Sequence, residues 1–152
     1  MVLRALAILI SVAASPAAFA QQCDPAAFRE AVAAASATIS GLHAKNAGVF
    51  QENLQKLRVR NNWQNAEYLA NAAPLVKDET TAALDAANQA LLAKVHSLDE
   101  ASASTEPGRC VMLAELKGAM EKVVANTAAK WDHMFDKLNR ASVQPIQAGF
   151  NR

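Results

Sequence analysis

Apolar residues recur along this chain at intervals of three and four, the period of a helix that buries one face. The first run is Phe28, Val32, Ala35, Ile39, Leu42, Phe50, Leu54 and Leu57, with Asn46 the one polar residue on its stripe. Asp24 followed by Pro25 opens it: a capping carboxylate, then a residue whose φ is already set for a first turn. The pair Asn61 and Asn62 closes it. A second run extends from about Trp63 to Leu98, with Thr80, Leu84, Ala87, Leu91, Val95 and Leu98 on its inner face. Pro74 lies inside this run, and the earlier face of Tyr68, Leu69 and Ala72 is out of phase with the later one. The pattern therefore predicts a kink or break at Pro74, where the ring removes an N–H and crowds the preceding turn. After a loop over 102–108, Pro107 opens a third run of Leu113, Leu116, Met120, Val123, Thr127, Trp131, Met134, Leu138 and Ala141. Pro145 stops it, and the last residues are expected to fray.

Each run covers about 35 residues, or roughly 50 Å of helix. Rods of equal length joined by short turns pack as antiparallel neighbours. The expected fold is all-α, an antiparallel up-down-up three-helix bundle, becoming four helices if Pro74 breaks the second rod completely. No stretch alternates as a strand does, and no repeat is visible.

Residues 1–20 read as an address rather than as part of the fold. Arg4 gives a positive start, an apolar stretch from Leu6 to Ala14 follows, and Pro16 breaks it. Ala18, Phe19 and Ala20 then place small residues at the two positions a signal peptidase reads. The apolar stretch falls short of the roughly 20 residues a membrane span requires. Gln21 and Gln22 before Cys23 argue against lipidation, which needs a small residue there. The expected mature chain is a single domain over 21–152, periplasmic or secreted.

Composition then narrows the function. The chain has 15 Lys and Arg against 14 Asp and Glu. Loss of Arg4 would leave 14 bases against the same 14 acids, a neutral protein without the basic excess of a nucleic-acid binder. Hydrophobic residues make up 52% of the chain, enough to exclude disorder.

An exported chain with two cysteines pairs them most simply with each other. Cys23 precedes the first rod and Cys110 lies in the first turn of the third. In an up-down-up bundle those rods start at the same end, so the periodicity alone places the two sulfurs together. Such a link would stabilise the fold by roughly 4 to 5 kcal/mol on the chain-entropy account. A reactive pair would take the CxxC form, which is absent.

Candidate chemistry is sparse. His43 and His133 lie at similar heights on the first and third rods, beside Met134, so a haem or metal between the rods is conceivable. The helical wheel opposes it. His43 sits at the edge of its stripe, and His133 lies on the polar face with Lys130 and Lys137. His96 belongs near the opposite end. No CxxCH, HxxxH or ExxH pattern occurs, so no cofactor is implied. Ser36, Thr38 and Ser40 lack a histidine and acid at recognisable spacing, there is no glycine-rich phosphate loop, and Asp78, Glu79, Asp85, Glu115 and Glu121 are expected to face water. The chain does not read as an enzyme.

Charge is distributed by end. Lys56, Arg58, Arg60, Lys137 and Arg140 gather away from the cysteines, and Asp24, Glu30, Asp99, Glu100 and Glu106 gather near them. Helix dipoles account for part of this. Phe50, Trp63, Tyr68, Trp131 and Phe135 also concentrate at the basic end. Lys56, Arg58, Arg60, Trp63, Tyr68, Lys137 and Arg140 thus form a candidate docking surface, since interface cores favour Trp, Tyr and Arg. The expectation is a non-catalytic exported bundle that binds a protein, peptide or envelope component. The alternative is a b-type haem or metal carrier using His43 with His133 or Met134.

Overall fold

The computed structural model describes residues 23–100 and 106–143. The leader over 1–20, residues 102–105 of the expected 102–108 loop and the tail from Pro145 onward lie outside the described residues, while 106–108, expected as loop, are helical. Four helices follow in order: α1 (Pro25–Arg60), α2 (Asn65–Val76), α3 (Glu79–Glu100) and α4 (Glu106–Val143). There is no strand among the described residues.

Local chemistry sets the helix ends. The Asp24 carboxylate accepts the Ala27 N–H at 2.8 Å, and Pro25 occupies the first turn. At the other end of α1, Asn61 donates its side-chain amide to the Leu57 carbonyl, and Asn62 takes a left-handed φ of 53°. Asparagine tolerates that conformation better than other residues bearing a side chain. Glu67 then accepts the N–H of Gln64 and starts α2.

The second rod is where expectation and structure part. It is two helices, and the break lies after Val76, not at Pro74, which sits in the last turn of α2. The cause is Asp78. Its carboxylate accepts the Thr81 N–H at 2.9 Å while the Thr81 hydroxyl accepts the Asp78 N–H at 2.8 Å, a reciprocal cap that begins α3. Thr81, not Thr80, is consequently the buried residue, at 1% exposure. Of the face expected over Tyr68, Leu69 and Ala72, Ala72 is buried and Tyr68 half-buried, whereas Leu69 is exposed.

α4 is the spine. α1 and α3 each pack along it, α2 touches its far end, and α1 and α3 meet each other only marginally. Cys23 and Cys110 are bonded, 4.9 Å apart at Cα and 87 residues apart in sequence, so α1 and α4 start together. Asp78 meets His133 while Lys94 meets Glu115, so α3 runs against α4. Two cores result. Phe50, Leu54, Leu57, Ala72, Met134 and Leu138 fill the α2 end. Ala35, Leu113, Leu116, Met120 and Val123 fill the disulfide end. The α4 stripe is buried much as its spacing predicts, whereas Val32 of the α1 stripe is exposed.

Candidate functional site

The arrangement of α1 and α3 on one spine leaves a trough between them. Its residues follow from composition: α1 turns Ala33 and Ala47 toward α3, and neither is large enough to close the gap. Near the disulfide, a cavity of about 550 Å³ is walled by Phe28 and Val32 of α1 and by Leu92, Val95 and Leu98 of α3, over Leu116 of α4. Further along, a second cavity of about 490 Å³ is walled by Ile39 and His43 of α1, Val76 of α2 and Leu92 of α3, over Trp131 and Met134. Leu92 lines both. Val32 remains 39% exposed and Leu92 47% exposed along the trough.

Polar groups are few and positioned. Lys130 holds Asp85 at 2.7 Å in the wall between α4 and α3. Asn126 donates to Asn88 at 2.9 Å, fixing the register of the same two helices. Arg29 and His96 stand on the rim near the disulfide end. His43 packs edge-on against Trp131, with ring centres 5.6 Å apart.

A second polar cluster lies at the α2–α3 junction. Asp78 Oδ2 accepts from Lys137 Nζ at 2.7 Å and faces His133 Nε2 at 2.8 Å. The Lys137 ammonium, then the Thr81 N–H and then His133 hold the Asp78 carboxyl far below the usual carboxylate range. Asp78 was expected to face water; it is an anchor between α3 and α4. The cluster offers no nucleophile, because the Thr81 hydroxyl already donates to the Asp78 carbonyl.

The basic end is engaged within the chain. Arg58 stacks 4.9 Å above the Tyr68 ring and also reaches the Trp63 carbonyl and the Asn65 side chain. Lys56 pairs with Glu52, Lys137 with Asp78 and Arg140 with Asp136. Trp63, Tyr68, Trp131 and Phe135 pack against the α2-end core, and Arg60 is exposed. The side chains of Asp99, Glu100 and Glu106 lie outside the described set. Among the haem candidates, His43 and Met134 share the upper cavity, whereas His133 is turned to Asp78.

Sequence reasoning missed the trough. Its walls combine Val32, Val95 and Leu98, which were read as buried stripe, with Leu92, which lies off the stripe, and spacing alone does not tell which two stripes meet. No helix among the described residues is long and apolar enough to cross a membrane. No family model, no curated protein and no solved structure matches this chain.

Proposed function

We propose that the mature chain is a non-catalytic exported protein that binds a protein or peptide partner in the periplasm, along the trough between α1 and α3. One observation carries the reading: two apolar cavities between α1 and α3 share Leu92, and Val32 and Leu92 stay exposed in them. The leader-like pattern over 1–20 and the Cys23–Cys110 bond support export to an oxidising compartment. The trough takes precedence over the basic end because Arg58, Lys137 and Arg140 are already paired there.

The test is site-specific photo-crosslinking in the native host. A crosslinker at Leu92 is expected to give a discrete adduct, and one at Leu69, exposed on the far helix, none. Adducts at Leu69 or Arg60 with none at Leu92 would overturn the choice of surface. The haem alternative rests on His43 and Met134 lining one cavity, and it has less support because His133 is committed to Asp78. A Soret band in protein purified from periplasm would restore it.

A further inference from the structure

We infer that the cavity beside the disulfide is a small-molecule site, for a compact, ring-built hydrophobic monoanion whose carboxylate or sulfonate lies at Arg29. The inference concerns that cavity by itself and goes beyond the reading of the trough as a surface for a protein or peptide.

The lining selects hydrocarbon. Seven of its nine residues are apolar, and the other two are Arg29 and His96. His96 is already engaged within the chain. A peptide strand laid there would bury N–H and C=O groups against walls that offer them no partner, a cost that a hydrocarbon skeleton does not carry. Size then selects shape. Along α3 the wall runs from Leu92 to Leu98, six steps or about 9 Å of helix. A volume of about 550 Å³ over that length implies a section of roughly 60 Å². A helix with its side chains, about 10 Å or more across, is wider than this. A single polymethylene chain is narrower, and the gap around it would forfeit contacts with the walls. Two or three joined rings fill both the length and the section, and an apolar hollow of this size with one charged group is typical of small-molecule sites.

Charge fixes the polar end of the ligand. Arg29 is the one arginine or lysine in the lining, and no carboxylate accompanies it there. A guanidinium keeps its charge under ordinary conditions, and no ion pair among the described residues includes Arg29. It follows Phe28 directly and lies one turn before Ala33, so it stands at the mouth of the hollow that both residues line. An anionic group on the ligand meets it there while the rings lie below against Leu116. Because Arg29 is exposed, the pairing adds only a modest factor, and the burial of the rings supplies most of the affinity. The other cavity lacks this combination: its lysine, Lys130, is already paired with Asp85.

The experiment titrates the mature, oxidised chain with two fluorescent probes that share one ring skeleton, anilinonaphthalene sulfonate and its neutral parent phenylnaphthylamine. Both are expected to bind saturably. Ala33→Phe, which fills this cavity, should weaken both at least about tenfold, whereas Ala47→Phe, in the other cavity, should leave both within about twofold. Both alanines are exposed on α1, and circular dichroism confirms that each variant folds. Arg29→Gln should weaken the sulfonate about two- to fivefold and leave the neutral parent unchanged. Anthracenecarboxylate should displace the sulfonate at lower concentration than pentadecanoate, its equal in carbon count. Absence of saturable binding, equal effects of Ala33→Phe and Ala47→Phe, or an Arg29→Gln effect shared by both probes would overturn the inference. Tighter binding of the straight-chain acid would also overturn it, assigning the cavity to an acyl chain. A protein adduct at Leu92 in cells alongside such results would leave the proposed function standing, and its absence would leave a positive titration standing.

Discussion

Asp78 shows what one side chain does in this fold. It ends the α2–α3 connection, caps α3 through Thr81 and ties both to α4 through Lys137 and His133. Lys137 is the tighter-held partner, with its side chain only 13% exposed. A carboxylate whose folded pKa is depressed stabilises the fold above its unfolded pKa, and that contribution fades as pH falls through the folded value. Asp78→Asn should therefore lower the unfolding midpoint by a constant amount from neutral pH down to about pH 5. Below the ordinary value of 3.8 the gap should narrow, as protonation removes from the parent what the variant already lacks. Chemical unfolding of both proteins across that range checks it, and a gap independent of pH would mean that only the cap matters. The sequence held half of this residue's role. Asp78 three before Thr81 is a readable cap, but nothing in spacing links Asp78 to residues 133 and 137, because periodicity specifies a face and not a register between helices.

At the scale of the element, Pro74 and the glycines of α1 separate propensity from packing. Pro74 was read as the break because it removes a donor, yet α2 continues through it to Val76, and the cap at Asp78 supplies the break. Pro74→Ala should restore an N–H toward the Ala70 carbonyl and raise stability by about 1 kcal/mol, less than in mid-helix because the site is in a last turn and proline also restricts the unfolded chain. Backbone chemical shifts at Lys77 and Asp78 should stay non-helical in that variant. A fused α2–α3 would show instead that the proline causes the break. Gly41 and Gly48 sit in the middle of α1, and a Cβ at either would meet nothing within 4 Å. Each change to Ala should add roughly 1 kcal/mol of stability, measured by thermal unfolding, and neither glycine lines the trough. The helices themselves were legible, since their stripes and end residues are local. The trough was not. Val32 continues the α1 stripe in phase, and its exposure depends on α3 standing off from α1, a fact of assembly.

The whole molecule is held unevenly along α1, and the disulfide joins the end where α1 buries the least. The upper part of α1 buries Phe50, Leu54 and Leu57, whereas its lower part buries only Ala35 fully and leaves Ala33, Ala34, Ser36 and Ala37 exposed. Alanine removes little apolar area from water, and burial stabilises in proportion to that area. The lower part of α1 is thus attached by its covalent link and by small or half-buried side chains, Ala27, Phe28, Ala31, Ala35 and Ile39. Breaking the link releases a closed segment spanning 87 residues, which on the chain-entropy account costs roughly 4 to 5 kcal/mol of global stability. The loss should be distributed as well as large. Hydrogen exchange on a Cys23→Ala, Cys110→Ala variant should show protection falling first in residues 26–38, while amides near Leu54, Leu57 and Leu138 stay close to the parent at the same denaturant concentration. A uniform loss of protection along the chain would mean that the two cores unfold as one unit and that the bond steadies the molecule as a whole, with no special hold on the wall of the trough.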